Sequence, residues 1–156
     1  MMNLYSHQSS KGDLNLAGSG ILQAKVLIVD DDIDSALLVS SIFNNLGCYT
    51  DYALNYIEAK SKINDNDLDI IILDWCLDSD IEADQLLYNC LKFQKRFASG
   101  LEETKHPLVV TYSSLPASNI HWIHNPRFEY KGHWDKSLTH EELVQNGLDL
   151  LDYAGL

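Results

Sequence analysis

Asp69-Ile70-Ile71-Ile72-Leu73-Asp74-Trp75-Cys76 places four aliphatic residues, three of them β-branched, directly before a carboxylate. An apolar run this short and uninterrupted reads as a strand buried on both faces, as strands of a parallel sheet do. Asp74 then stands at the carboxyl end of that strand, the edge where open α/β sheets place their ligands. A lone acid there serves equally well as a strand terminator. Its meaning depends on what the other strands bring to the same edge.

Upstream, Lys25-Val26-Leu27-Ile28-Val29 is a second buried run, and it leads into Asp30-Asp31-Asp32. A helix is expected next, with Asp34 as N-cap, Ala36, Val39 or Ser40, Phe43 and Leu46 at helical spacing, and Gly47 just past its end. Residues 48–53 read as a strand. Asn55 caps a second helix carrying Ile57, Ala59 and Ile63, and residues 64–67 form the turn into the 69–76 stretch.

Downstream come an acidic loop (78–82), a helix with Leu86, Leu87, Cys90, Leu91 and Phe93 inward, and a polar connector (95–106). Pro107-Leu108-Val109-Val110-Thr111 is another buried run, this time ending in a hydroxyl. A short helix around 117–124 is bounded by Pro116 and Pro126, and a fifth strand falls within 127–135. The final helix opens with a Thr139–Glu142 capping box and a Leu138–Leu143 staple, with Leu143, Val144, Leu148, Leu151 and Tyr153 expected to face inward. Five strand–helix units in alternation imply an α/β fold, a doubly wound five-stranded parallel sheet with helices on both faces.

The 156 residues suit one domain. Residues 1–22 are polar and Ser/Gly-rich and read as a disordered N-terminal arm, leaving 23–156 as the folded domain. A net charge of −12 argues against nucleic-acid binding through phosphate neutralisation and suits cationic partners or metal ions, or simply solubility. Cys48, Cys76 and Cys90 form no CxxC pair, so reduced thiols in a cytoplasmic protein are expected. Neither a signal peptide nor a membrane-spanning run is present in the sequence.

Strand ends in a parallel sheet share one edge, so Asp30, Asp31, Asp74 and Thr111 can converge there, joined by Lys136 after the fifth strand. Converging carboxylates repel one another unless a proton or a divalent cation relieves them. Hard oxygen ligands select Mg2+. With a cation in place, Asp74 can act as a nucleophile toward a phosphoryl group, while Lys136 and the Thr111 hydroxyl contact the phosphoryl oxygens. Lys131 competes with Lys136 for the cationic role. His121 and His124 have a helical spacing compatible with a metal, but no third ligand is evident.

These residues resemble the receiver domain of two-component response regulators. The resemblance runs from about residue 24 onward. It rests on Val26-Leu27-Ile28-Val29-Asp30-Asp31, Ile70-Ile71-Ile72-Leu73-Asp74, Leu108-Val109-Val110-Thr111 and the stretch from Lys136 through Leu143, with 44 residues between Asp30 and Asp74. It implies a flavodoxin-like fold with Asp74 as phosphoacceptor. Asp31, Asp74 and the Cys76 backbone carbonyl are implied as direct Mg2+ ligands, with Asp30 acting through water. Thr111 and His133 occupy the positions of the switch pair. The implied partners are a histidine kinase or histidine phosphotransfer protein and an unknown downstream protein, with no membrane. The chain would be no enzyme beyond catalysing its own phosphorylation and dephosphorylation.

The chain departs from the family pattern in several places. Asp78 replaces the Pro usual shortly after the acceptor, a following Gly is missing, and Ser137 stands where receivers usually carry Pro. The segment before the fifth strand is broken by two prolines, which points to an unusual output surface over residues 113–135. The main competing function is a degenerate receiver serving as a phosphorylation-independent adaptor. A haloacid-dehalogenase-type phosphatase is disfavoured, because that family needs a second Asp where Cys76 stands.

Overall fold

A computed structural model describes residues 23–65, 67–77, 81–94, 106–122 and 124–156. The expected N-terminal arm, most of the acidic loop after Cys76 and nearly all of the 95–106 connector lie outside the described residues.

Five strands form one parallel sheet: β1 (Lys25–Val29), β2 (Tyr49–Ala53), β3 (Ile70–Leu73), β6 (Leu108–Ser113) and β7 (Glu129–Asp135), in the order β2-β1-β3-β6-β7. A two-residue antiparallel ladder, β4 (Cys76–Leu77) with β5 (Ile81–Glu82), follows β3 where only a loop was expected. The helices are α1 (Ile33–Asn45), α2 (Tyr56–Asp65), α3 (Ala83–Gln94) and α4 (His140–Ala154).

Side-chain alternation along each strand divides the core into two layers. Val26, Ile28, Ile70, Ile72, Val110 and Tyr112 pack with Ala36, Phe43 and Leu150 on the face covered by α1 and α4. Leu27, Val29, Ile71, Leu73 and Val109 pack with Ala59, Leu86 and Cys90 on the face covered by α2 and α3. Strands buried on both sides explain why these runs lack polar residues. They make the doubly wound arrangement legible.

Several local expectations are corrected. The N-cap of α1 is Asp32, whose side chain accepts from the Asp34 backbone N–H at 3.0 Å, because Ile33 is already helical. Helix α2 runs through Asp65, into the expected turn. Ile57 is 79% exposed, and α2 is anchored by Ala59 and Ile63 instead. Along α4 the buried residues are Leu143, Gly147, Leu150 and Leu151, whereas Leu148 and Tyr153 are exposed. Their spacing follows the contact with α1, where a Cβ on Gly147 would meet Leu46 Cδ1 at 3.0 Å. The capping box at Thr139 and Glu142 forms as expected, and Gly47 adopts φ +89° after α1.

The largest difference lies between β6 and β7. In place of a helix over 117–124 the chain makes one 3-10 turn, Ala117–Asn119. The sheet therefore carries four helices rather than five among the described residues. Leu115, Ile120 and Trp122 lie against the α2/α3-face core, and Phe128 is buried within it. These apolar side chains cover the sheet without helical periodicity, and the prolines at 116 and 126 restrict the backbone before them.

Candidate functional site

Strand register brings the site residues to one edge. Val29 pairs with Leu73, Leu73 with Thr111, and Thr111 with His133. Asp30 and Asp74 are the next residues of their strands. The Asp74 backbone N–H donates to the Val29 carbonyl at 2.8 Å, and that of Asp30 to the Ala53 carbonyl at 3.1 Å, so both are held by continued ladder hydrogen bonds.

Carboxylate oxygens of Asp30, Asp31 and Asp74 lie within 4.8 Å of one another, the one such acidic group among the described residues. Asp30 and Asp74 are buried, and Asp31 is exposed. Lys136 Nζ lies 2.8 Å from Asp30 Oδ2 and 3.1 Å from Asp74 Oδ2. Lys131, the rival cation, lies 3.6 Å from Glu129 and sits over the Tyr153 ring on the α4 side. The backbone brings Lys136 in: its N–H donates to the Ser113 carbonyl at 3.1 Å, and the following Ser137 N–H donates to Asp135 Oδ1 at 2.7 Å. That second bond uses a donor that a proline at 137 would lack.

Burial raises the Asp74 pKa above the usual carboxylate range; Lys136 opposes this, and the charge on Asp30 adds to it. Burial pulls Lys136 down, but its hydrogen bond and charge contacts with Asp30 and Asp74 outweigh that, and its pKa is raised. Asp30 Oδ1 accepts from the Asp32 N–H at 2.9 Å. Asp30 Oδ2 is buried, and the Lys136 ammonium lies against it at 2.8 Å. Three carboxylates within 4.8 Å offset by a single lysine form a set of hard oxygen donors that fits a small divalent cation.

Cys76 does not sit in an irregular loop. It begins the β4–β5 ladder, with its side chain exposed and its N–H directed at Asp74 Oδ1 at 3.3 Å. The short ladder fixes the backbone at 76, and the Ala83 N–H donates to the Trp75 carbonyl at 3.1 Å. Trp75 itself is buried in the α2/α3-face core. His121 and His124 join no metal-binding group among the described residues.

Thr111 is fully buried on the α2/α3 side of the sheet. Its hydroxyl lies 3.0 Å from His133 Nδ1 and 3.1 Å from the Tyr130 hydroxyl. Thr111 and His133 are thus in contact. Tyr130 was missed. No strand alternation places residues 130 and 133 on one face, and only the β-bulge between them does so.

No protein-family model matches the sequence, and no curated protein matches it either. Solved structures do match. The receiver domain of a Francisella response regulator is 25% identical over 84% of this chain and 98% of that one, with a TM-score of 0.60. The response regulator receiver domain (CheY-like) from Methanospirillum hungatei JF-1 matches at TM-score 0.61 and 17% identity, covering 85% and 97% of the two chains. The chemotaxis response regulator CheY4 of Vibrio cholerae matches at TM-score 0.59 and 21% identity, covering 83% and 99%. With its strand order and flanking helices, the chain has the fold of the CheY-like receiver domains of response regulators.

Proposed function

We propose that this protein is a phosphoryl-accepting receiver in a two-component or phosphorelay pathway, with Asp74 as the acceptor. The observation that carries this is the convergence of the Asp30, Asp31 and Asp74 carboxylates within 4.8 Å, spanned by Lys136, at the carboxyl edge of a receiver-like sheet.

An Asp74 carboxylate oxygen attacks phosphorus in a phosphohistidine or a small acyl phosphate. The bond from phosphorus to the donor breaks, and the leaving group keeps the electron pair. The product is an acyl phosphate, which water later returns to carboxylate and inorganic phosphate. Asp31, Asp74 and the Cys76 carbonyl would hold Mg2+, with Asp30 acting through water. When bound, Mg2+ supplies the positive charge that lets an anionic donor approach an anionic acceptor. Lys136 moves from neutralising two carboxylates to neutralising the transferred phosphoryl group. The chain turns over no other substrate. The partners are a histidine kinase or phosphotransfer protein and a downstream protein that reads the 113–135 face.

The test is incubation of the full chain with acetyl phosphate and Mg2+, read by intact mass. Gain of one phosphoryl group, abolished by Asp74→Asn and by chelation, is the expected outcome. No uptake by a folded protein, or uptake that survives Asp74→Asn, would overturn the reading and leave the adaptor alternative.

A further inference from the structure

The stretch from Tyr130 to His133 contains an irregularity that the proposed phosphoryl chemistry does not require. Val109 pairs with Tyr130, but Val110 pairs with Gly132, so Lys131 is an extra residue in β7. Gly132 has φ +125°, a conformation that L side chains rarely adopt. In an unbroken strand, residues 130 and 133 would point to opposite faces. The extra residue turns both toward Thr111.

The hydrogen-bond directions then follow. His133 Nε2 lies 2.9 Å from the Leu115 carbonyl, which can only accept, so Nε2 carries the proton. In a neutral ring Nδ1 is then an acceptor, and the Thr111 hydroxyl donates to it at 3.0 Å, nearer than its other β7 acceptor, the Gly132 carbonyl at 3.4 Å. The Thr111 oxygen in turn accepts from the Tyr130 hydroxyl. The Thr111 hydrogen is thus committed to β7 and away from Asp74. On its other side the Tyr130 ring stacks on Trp122, with centroids 4.5 Å apart and planes 11° from parallel. Trp122 belongs to the irregular segment that replaces the expected helix.

We propose that Tyr130 is a positioning residue for the Thr111 hydroxyl, holding it in the resting orientation and passing its release to Trp122 through the ring stack. This rests on the reading of Thr111 as the hydroxyl that turns toward a phosphoryl group on Asp74. When Thr111 turns, the Tyr130 hydroxyl loses its acceptor in a partly buried site and must move to find another. The stacked Trp122 moves with it, and the covering segment reports the change.

Two arms test this on the full chain. The Trp122 contribution to fluorescence is isolated by subtracting the Trp122→Phe variant, which retains Trp75 and Trp134. The first arm needs no phosphoryl group. Thr111→Val should change the intensity or wavelength of the Trp122 emission in the resting protein, and unchanged emission would overturn the coupling. In the second arm, Tyr130→Phe keeps the ring and removes the hydroxyl. With Mg2+ present it should bind beryllofluoride about three- to tenfold more tightly than the unaltered chain, the change expected for one lost hydrogen bond. Equal or weaker binding would show that Tyr130 is only packing. If fluorine NMR detects no bound beryllofluoride in the unaltered chain, the acceptor reading fails. The first arm then decides on Tyr130 by itself.

Discussion

The backbone N–H of Ser137 donates to Asp135 Oδ1 at 2.7 Å and ties down the turn that carries Lys136. The same bond, with help from the Ser137 side chain, holds the Asp135 carboxyl below the usual carboxylate range. Asp135→Ala should therefore loosen Lys136 and slow acetyl-phosphate-dependent phosphorylation by about three- to tenfold, the effect of losing one solvent-exposed hydrogen bond. Ser137→Pro removes the donor and should act in the same direction. The depressed pKa of Asp135 stabilises the turn above the unfolded carboxylate pKa, and that stabilisation is lost as pH falls through the folded value. An initial rate unaffected by both substitutions would count against this role for Asp135.

Asp74 has the opposite sign. Its folded pKa is raised, chiefly by burial. Its contribution to stability is therefore fully present below the unfolded pKa and lost as pH rises through the folded value. At neutral pH and without Mg2+, Asp74→Asn should raise Tm by about 2–6 °C. Mg2+ should raise the Tm of the unaltered chain more than that of the variant. Lys136→Ala leaves two buried carboxylates facing each other and should cost about 2–4 kcal/mol at neutral pH, less in acid. Thermal melts at two pH values, with and without Mg2+, check all three outcomes.

Thiol chemistry should separate the cysteines. Cys48 and Cys90 are buried, and burial raises both thiols, that of Cys90 to about 11. Cys76 is exposed at the start of β4. Under native conditions a maleimide should label Cys76 at least about tenfold faster than the other two, in keeping with access and thiolate fraction. Peptide mapping reads the order directly. Prompt labelling of Cys90 would show that the α3 layer opens.

Gly132 is a backbone requirement rather than a packing one. A Cβ there meets nothing within 4 Å, yet φ is +125°. Gly132→Ala should destabilise by about 1–2 kcal/mol through strain alone. It should also weaken the Thr111–Tyr130 hydrogen bond, because relaxing the bulge turns Tyr130 away. Chemical denaturation together with the Trp122 emission separates the strain from the reorientation.

The sheet was legible because its strands are buried on both faces, and runs such as 70–73 have few other readings. The converging acids were legible for the same reason, since a parallel sheet aligns its carboxyl ends. Lys136 could be preferred over Lys131 only by the helix start that follows it, and the structure separates the two by placing Lys131 over Tyr153. What escaped was local. The expected helix after Pro116 failed because apolar side chains at 115, 120 and 122 reach the core from an irregular backbone. The Asp34 cap was misplaced by two residues because Asp32 and Asp34, on either side of Ile33, offer the same capping chemistry. Tyr130 escaped because a one-residue bulge inverts the facing rule, and a single glycine in a strand is a weak signal for one.

The alignment of strand ends also bears on how the protein comes to have a site at all. Asp30, Asp74 and Lys136 each follow a different strand and Thr111 lies within a fourth, and each strand pair joins segments distant in the chain. Loop closure must therefore precede the contacts that reward it, which makes such a topology slow to assemble. The three acids come from β1 and β3, which pair directly, whereas Thr111 and Lys136 arrive with β6 and β7. A chain whose last two strands have come away would keep the three acids together and lose the lysine that offsets two of them, so local opening at that side of the sheet would expose uncompensated buried charge.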